Sequence, residues 1–435
     1  MSRTSMTLGI LTLQAQLNYG GVLQCWALQK ALERMGYKVR VLDVWLDPEC
    51  RRVKGPFAGY PLRTWRHFLM QALLGTGDGA RLVRCWRTMC FLARRIHLTP
   101  YHFCRWSEAP RELGVDALVV GSDQVWHCGD WGDPRPFLLE DAPVLPAISY
   151  AASFGFSEWP ETARGLARRR GRRTFPLDVV ALYRRGLARF AALSCREAEG
   201  VALCRTLGFA ATHVVDPVLL LEPEEWRRST RRRLSWALDV VRRLVGRKGR
   251  TKIVCYFLSQ PLRELRPLLM RVARERGWRF EVFVDRHFDP PAQSPGEWCR
   301  RVGRRIFGPV KERLAAGPLE FARAMAEADG VVTDSFHALM FAGVNDVNVR
   351  VVAPTGDLRQ RMFSRIAECR AFIQGDFVLP TTEAALTSLA AKRLLFDQTQ
   401  IARRRRASHE FLASSLANLT RSANGVDALP RVVRP

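Results

Sequence analysis

The chain has 435 residues, of which 47% are hydrophobic, and it carries a formal charge of +26 at neutral pH. This hydrophobic content is ample for a packed core, and the length exceeds the roughly 250–300 residues at which a single core stops growing, so we expect more than one domain. No apolar run reaches the roughly 18–20 residues that a membrane-spanning helix requires, which excludes an integral membrane protein of that type.

The positive charge comes mostly from arginine and is concentrated in runs, the longest of which is Arg403–Arg406. Such runs are typical of a solvated surface; the alternative is attraction to phosphorylated substrates, acidic lipid headgroups or nucleic acid. No nucleic-acid motif accompanies the charge, so we expect no nucleic-acid partner. The eleven cysteines include no C-x-x-C pair, which indicates reduced thiols and a cytoplasmic protein.

The first predicted elements form a strand–helix–strand unit. Residues 6–13 are typical of a buried strand, residues 22–35 have helical spacing, and residues 38–44 predict a second strand. The loop between the first strand and the helix runs through Gly21. It would lie at the carboxyl end of a strand, where ligands of doubly wound sheets bind.

The next segment is rich in arginine and apolar residues. Residues 60–105 show helical spacing, which predicts one or two amphipathic helices that cover the sheet or, alternatively, dock on a membrane surface. Strands return at 115–120 and 146–152, and the basic stretch 164–174 predicts a surface loop or an exposed helix end.

The second half again alternates strands with helices. Strands are predicted at 190–197, 212–220, 251–259, 279–285 and 330–335, with helices at 198–206, 262–276 and 319–328. This alternation predicts an α/β fold class with two doubly wound, Rossmann-like domains facing a cleft. We place the N-terminal domain with its helical insertion at 1–185, the C-terminal domain at 186–375 and a basic helical tail at 376–435.

Polar residues gather directly after the predicted strands, as a ligand bound at strand ends requires. His337, preceded by Ser335, stands where a helix begins and can exchange a proton beside an anion held there. The alternative is a buried structural histidine. Arg196 can hold a phosphate or carboxylate, or can form a structural ion pair with Asp216 or Glu197.

Other candidates lie in the same predicted cleft. Asp123, in the GSDQVW segment, can position a substrate hydroxyl or act as a base, or can be a turn residue. The remaining cleft-lining candidates are Asn18, Gly20, Gly21, Gln24, Ser122 and Ser153. No metal-ligand spacing is present, and we expect neither a metal nor a cofactor.

Seven segments, in order along the chain, resemble the polysaccharide pyruvyl transferase family. They are LNYGGVLQCWALQKAL (17–32), VVGSDQVW (119–126), ISYAASFG (148–155), LSCREAEGVAL (193–203), VVDPVLLL (214–221), VCYFLS (254–259) and VVTDSFHALMFAG (331–343). The resemblance implies the two-domain architecture of GT-B glycosyltransferases. It also implies transfer of a pyruvyl group from phosphoenolpyruvate to hydroxyls of a sugar in a polysaccharide or lipid-linked glycan, as a ketal.

The same resemblance implies that His337, with Phe336 beside it, and Arg196 form the phosphoenolpyruvate site. We hypothesise that His337 is the acid, that Asp123 positions a hydroxyl, and that the paired glycines let the first loop approach the cleft. One departure from the family is Ala338, where glycine is usual.

Two other functions remain open at this point. A glycosyltransferase of the same architecture would use a nucleotide-sugar donor, and a non-catalytic relative would only bind anions. The basic surface suits an anionic acceptor at the inner face of a membrane, which predicts peripheral contact with anionic lipid. The sequence does not indicate an oligomeric state.

Overall fold

The structure is a computed structural model, and it describes ten ranges of the chain. They are residues 6–14, 18–44, 77–103, 105–128, 133–159, 179–230, 250–284, 308–353, 365–366 and 368–423. The predicted amphipathic stretch 60–105 is therefore described only from residue 77 onward. The predicted basic loop at 164–174 lies outside the described residues.

The first half of the chain builds a parallel sheet covered by helices. Its elements are β1 (Thr7–Leu11), α1 (Tyr19–Arg34), β2 (Lys38–Val44), α2 (Gly77–Arg95), β3 (Leu98–Phe103), β4 (Ala117–Val120) and β5 (Ala147–Ser149). The strand order is β3-β2-β1-β4-β5, and Ile10 of the central strand pairs with Val41 on one side and Val119 on the other. All three residues are fully buried, as expected of a parallel sheet covered on both faces.

Strand β3 lies where the sequence predicts helix, so that prediction is wrong for Leu98–Phe103. Thr99, Tyr101 and Phe103 alternate with other residues, and β-branched and aromatic side chains favour a strand. The pairing also has side-chain support, because the amide of Asp43 donates to the Thr99 hydroxyl at 3.1 Å.

The predicted domain boundary at 185/186 does not coincide with the division between the sheets. The next elements are α3 (Val179–Leu187), β6 (Leu193–Cys195), α4 (Ala198–Thr206) and β7 (Ala211–His213). The amide of Ser149 donates to the Ala192 carbonyl at 3.0 Å, and the amide of Ala152 donates to the Ser194 carbonyl at 3.2 Å. Strands β6 and β7 pair with each other as a separate two-stranded sheet, which these hydrogen bonds attach to the edge of the first sheet, although both were assigned to the C-terminal domain.

The second half repeats the same winding. After a 3-10 turn (Pro217–Leu220) and α5 (Pro223–Thr230) come β8 (Lys252–Phe257), α6 (Leu262–Arg276), β9 (Arg279–Val284), β10 (Val310–Glu312), α7 (Pro318–Ala326), β11 (Gly330–Thr333), α8 (Phe336–Val344), β12 (Asn348–Val352) and β13 (Val378–Leu379). The strand order is β10-β9-β8-β11-β12-β13, with every pair parallel. Two sheets with the doubly wound order confirm the predicted α/β, Rossmann-like fold class.

Helix α1 joins the two sheets. It is apolar on nearly all sides and almost wholly buried, as expected of a helix in the centre of a core. The ring of Tyr19 stacks on Phe321 of α7 with centroids 4.7 Å apart, and its hydroxyl donates to the Ala316 carbonyl at 2.9 Å. Further along, Trp26 packs against Trp226 with centroids 5.1 Å apart. The amino end of α1 is thereby held against the second sheet.

The predicted basic tail is helical where the structure describes it, as α9 (Thr382–Ala391) and α10 (Gln398–Ala423). Helix α10 returns to the first half of the chain. The Ser408 hydroxyl accepts from the amide of Val215 at 3.0 Å, and Thr420 Oγ1 lies 3.9 Å from Met6 Sδ. Among the described helices, none combines the length and apolarity needed to cross a bilayer.

Candidate active site

The first turn of α1 contains both glycines of the NYGG segment. The Asn18 side chain caps the helix, because its Oδ1 accepts from the amides of Gly20 at 2.8 Å and Gly21 at 3.4 Å. The helix therefore starts at Tyr19, and the prediction of a loop through Gly21 is wrong. The cap extends the helix by one turn toward the cleft.

Gly20 lies directly against His337. A Cβ atom built on Gly20 would stand 2.1 Å from Cδ2 and 2.6 Å from Cβ of the histidine, distances that no real side chain shows. On Gly21, the nearest atoms to a Cβ would be the Leu13 carbonyl oxygen at 3.2 Å and Asp123 Oδ2 at 3.5 Å. A side chain at Gly20 would overlap His337 outright, whereas one at Gly21 would make a contact that is tight but not overlapping.

The imidazole of His337 lies between two carboxylates. Its Nε2 is 3.9 Å from Asp123 Oδ1, and its Nδ1 is 3.7 Å from Asp216 Oδ2. These distances exceed a hydrogen bond, and Nδ1 is buried without a hydrogen-bond partner among the described residues. His337 lies in the first turn of α8, in the second half of the chain. Both carboxylates, Asp123 and Asp216, come from the first half.

Arg196 follows β6 and is engaged on two sides. Its Nε donates to Glu197 Oε1 and its Nη1 donates to Asp216 Oδ2, each at 3.0 Å, and its side chain is only 1% exposed. Its Nη2 points towards Asp123 Oδ1 at 3.7 Å and is buried with no hydrogen-bond partner among the described residues. Burial lowers the pKa of Arg196, but the three carboxylates outweigh burial and raise the pKa above its ordinary value. Arg196 thus forms structural ion pairs with Glu197 and Asp216, and its Nη2 group still has no hydrogen-bond partner among the described residues.

Asp123 occupies a tight bend after β4. Its φ of 74° is in the left-handed region, and its Oδ1 accepts from the amide of Gln124 at 2.9 Å. Burial raises the pKa of Asp123, yet His337 and the cationic Arg196 more than offset this and hold the pKa well below its usual range. The side chain is therefore a carboxylate at neutral pH, able to accept a hydrogen bond from a hydroxyl.

Phe336 carries two guanidinium groups near its ring. The Arg196 Cζ is 4.7 Å from the ring centroid, and the Arg365 Cζ is 5.9 Å from it. Burial, followed by the charge of Arg196, lowers the pKa of Arg365 to about 10. Sequence reasoning did not find Arg365, which lies in no recognised motif.

Ser335 and the preceding aspartate shape the start of α8. The amide of Ser335 donates to Thr333 Oγ1 at 3.0 Å, while the Ser335 hydroxyl makes no capping bond. The Asp334 carboxylate accepts from the amides of Leu258 at 2.7 Å and Ser259 at 2.9 Å. Asp334 thereby ties the loop after β8 to the loop that presents His337.

Three predicted cleft-lining residues lie behind the cleft surface. Gln24, Ser122 and Ser153 are all fully buried. The Ser122 hydroxyl donates to the Gln24 carboxamide, whose Nε2 donates to Thr12 Oγ1 at 3.0 Å, and the amide of Ser153 donates to the Asp123 carbonyl at 3.0 Å. These residues support the bend of Asp123 from beneath.

A small pocket, partly open to solvent, adjoins the His337 cluster, by which we mean His337, Asp123, Asp216, Arg196, Phe336 and Arg365. Its charged lining consists of Arg196, Arg365, Arg404, His213, Asp216 and Glu368. Three guanidinium groups against two carboxylates favour a small anion there. In the described part of the chain, no three or more His, Cys, Asp or Glu side chains are arranged to hold a metal ion.

Comparison with known proteins gives one family match. A family model described as polysaccharide pyruvyl transferase matches residues 18–356, which include every residue of the His337 cluster except Arg365. No curated protein shows a significant match.

Several solved structures are distantly similar. The UDP-GlcNAc 2-epimerase of Methanocaldococcus jannaschii has a TM-score of 0.47 at 10% identity, with 95% of this chain and 100% of that chain covered. The enzyme of the same name from Neisseria meningitidis has a TM-score of 0.45 at 8% identity, with 95% and 99% covered. A Streptomyces glycosyltransferase has a TM-score of 0.38 at 14% identity, with 96% and 99% covered. These likenesses are too distant to indicate what this chain does.

Proposed function

The chain belongs to the polysaccharide pyruvyl transferase family, and on that basis we propose that it transfers a pyruvyl group from phosphoenolpyruvate to hydroxyls of a sugar. The sugar is part of a polysaccharide or a lipid-linked glycan, and the product is a pyruvate ketal. The observation that carries the proposal is the position of His337, with a carboxylate facing each ring nitrogen and Arg196 alongside.

The donor suits the charges of the site. Phosphoenolpyruvate places a phosphate and a carboxylate on a three-carbon body, so its binding needs cationic forks more than apolar surface. Arg196 has one amino group with no hydrogen-bond partner among the described residues, and Arg365 is a buried guanidinium whose pKa is lowered by its burial. A bound anion would offset that cost.

Ketal formation needs one proton delivered and two removed. The enol carbon of the donor takes up a proton and becomes a methyl group, and a sugar hydroxyl then attacks the adjacent carbon and loses its own proton. The carbon–oxygen bond to phosphate breaks, a second hydroxyl attacks and loses its proton, and one phosphate leaves. Two hydroxyl protons thus supply the new methyl hydrogen and the proton released with phosphate.

The residues divide these tasks. His337 delivers the proton to the enol carbon, because an imidazole can both donate and accept a proton. Asp123 remains ionised and accepts a hydrogen bond from the attacking hydroxyl, which orients the hydroxyl oxygen. Asp216 fixes Arg196 and faces the other ring nitrogen of the histidine.

A membrane-bound acceptor has support from the outer face of α2. Trp86 and Met89 are 55% and 45% exposed, and with Leu82 and Ala93 they form one stripe at helical spacing. The exposed Arg94 and Arg95 follow at the carboxyl end of the helix. Apolar side chains beside arginines are typical of helices that lie on anionic lipid, so we propose peripheral contact with an anionic membrane.

Thermal unfolding with ligands tests the donor. A ligand that binds only the folded chain must raise the melting temperature as its concentration grows. We expect phosphoenolpyruvate to raise it and a panel of sugar nucleotides to leave it unchanged. A shift with a sugar nucleotide alone would instead indicate a glycosyltransferase.

Turnover then tests the role of His337. We expect His337→Ala to lower the rate of phosphate release, with a glycan acceptor present, by about 10²–10⁴-fold. The melting temperature of this variant should stay close to that of the wild type. Near wild-type turnover in a folded variant would contradict the assignment.

A further inference from the structure

The four-arginine run on α10 is not a uniform charged surface. Successive residues of a helix point about 100° apart, so the four side chains face different surroundings. Arg403 and Arg406 are exposed to solvent. Arg405 is buried against the 3-10 turn Pro217–Leu220 and the residues after it, where it donates to the Leu219 carbonyl and pairs with Glu222.

Arg404 faces the pocket beside the His337 cluster. It is half-buried, its Cζ lies 5.0 Å from the ring centroid of Phe372, and it forms part of the pocket lining. Within the described ranges its guanidinium makes no hydrogen bond or ion pair, so its N–H donors are available to a ligand.

The other polar groups of the pocket are largely engaged. Asp216 accepts from Arg196 and from the amide of Val218, and Glu368 accepts from the amide of Ala198 and lies 3.2 Å from His213 Nε2. Each carboxylate is therefore engaged by its own partners, and neither is paired with Arg404 among the described residues. The pocket retains positive charge on the side formed by α10.

We infer that Arg404, together with Arg365, binds the phosphate group of the donor in this pocket. The inference rests on the proposed function. Two residues of the pocket lining adjoin His337: Phe336 precedes it in the chain, and the Asp216 carboxylate faces its ring. His337 itself is not part of the lining. A donor whose enol carbon is at His337 therefore extends its phosphate into the pocket, and two guanidinium forks hold the phosphate as it leaves.

This site adds the carboxyl-terminal helix to the binding machinery. Arg365 and Arg404 both lie beyond residue 356, where the family match ends. The part of the chain that resembles the family thus supplies the reacting groups. The helix that follows it supplies one of the two arginines for the leaving phosphate.

Calorimetric titration of the full chain with phosphoenolpyruvate and, separately, with inorganic phosphate tests the inference. We compare Arg404→Gln with Arg403→Gln, a neighbour in the same run that faces solvent. Loss of a charge-assisted pair should weaken the binding of both ligands about 10-fold or more in Arg404→Gln and less than 2-fold in Arg403→Gln. Arg404→Lys keeps the positive charge but loses the paired N–H donors of the guanidinium, so it should bind both ligands with intermediate affinity. This result would show that the weaker binding of Arg404→Gln is not caused by a folding defect.

Equal affinities in Arg404→Gln and the wild type would overturn the inference and leave the proposed function intact. If the wild type binds phosphate but not phosphoenolpyruvate, and only Arg404→Gln loses phosphate, the pocket is an anion site and the donor assignment is wrong. If the wild type binds neither ligand, both the inference and the donor assignment are wrong.

Discussion

Gly20 and His337 touch across the junction of the two sheets, so closely that residue 20 has room for a hydrogen atom and nothing larger. Gly20 lies in the first turn of α1, which follows β1 of the first sheet, and His337 lies in the first turn of α8, which follows β11 of the second sheet. The backbone of α1 therefore lies against one side of the imidazole, while the carboxylates of Asp123 and Asp216 face its two nitrogens. This contact places the NYGG segment beside the imidazole of His337.

Gly20→Ala should displace His337 without unfolding the chain. The added methyl group would stand 2.1 Å from the ring, so the ring must move, and a misplacement of about 1 Å costs roughly 100-fold in rate. We expect turnover to fall by about that factor, and the melting temperature to fall as well, because the methyl group also meets the His337 Cβ at 2.6 Å and overpacks a buried contact. Phosphate release at saturating phosphoenolpyruvate measures the effect.

Gly21→Ala is the matched control for this prediction. Its Cβ would make contacts of 3.2 Å and 3.5 Å that small shifts relieve, and alanine favours the helix. Turnover should stay within a few-fold of the wild type. Similar losses in both variants would show that the first turn of α1, rather than the contact with His337, limits activity.

Arg196→Ala should destabilise the fold as well as abolish binding. It would leave the buried carboxylates of Glu197 and Asp216 without their partner, and breaking a buried pair costs about 3–5 kcal/mol. Urea unfolding measures the loss. Arg228→Ala removes an exposed arginine paired with Glu224 and should change stability by no more than about 0.5 kcal/mol. A small loss for Arg196→Ala would mean that the ion pairs contribute little.

Acid should remove the stabilisation that Asp123 provides. Because its folded pKa lies below the ordinary value of about 3.9, its contribution is present above that pH and is lost as the pH falls towards the folded value. The stability difference between the wild type and Asp123→Asn should therefore shrink below about pH 4. Urea midpoints measured from pH 6 down to about pH 3 check this, and a constant difference would contradict the assigned pKa direction.

The outer face of α2 should bind anionic vesicles. Trp86→Ser with Met89→Ser removes two side chains that would be buried in the interface, which should weaken binding at least about 10-fold to vesicles of phosphatidylglycerol and phosphatidylcholine in equal parts. Co-sedimentation measures the bound fraction, and wild-type binding should fall in about 0.5 M salt.

Two exposed apolar residues elsewhere provide the control for the vesicle experiment. Val144 and Leu395 are 95% and 55% exposed and lie on other parts of the chain. Val144→Ser with Leu395→Ser should leave vesicle binding unchanged. If both double variants bind as the wild type does, the stripe on α2 is not the membrane surface.

Strands and helices with strong periodicity could be predicted from the sequence. The bounds predicted for α4 and α6 agree with the structure, because Ala198–Thr206 and Leu262–Arg276 combine helical spacing with clear stops. The start of α1 was missed by three residues, since glycines argue against a helix and the capping bond of Asn18 outweighs that preference here.

Long-range pairing could not be predicted in the same way. The strand Leu193–Cys195 has the same local pattern whichever sheet it joins, and its hydrogen bonds to Ser149 and Ala152 decide the matter. Arg365 and Arg404 likewise carry no local signal, because arginines are abundant in this chain and only the fold brings these two to one pocket.

The return of α10 to the first half of the chain sets an order of events during synthesis. The amide of Val215 donates to the Ser408 hydroxyl, and Arg404 lines one side of the pocket. Both partners leave the ribosome after every other part of the site has been made. A nascent chain can therefore wind both sheets while it is still attached, yet the pocket beside His337 closes only after α10 has emerged.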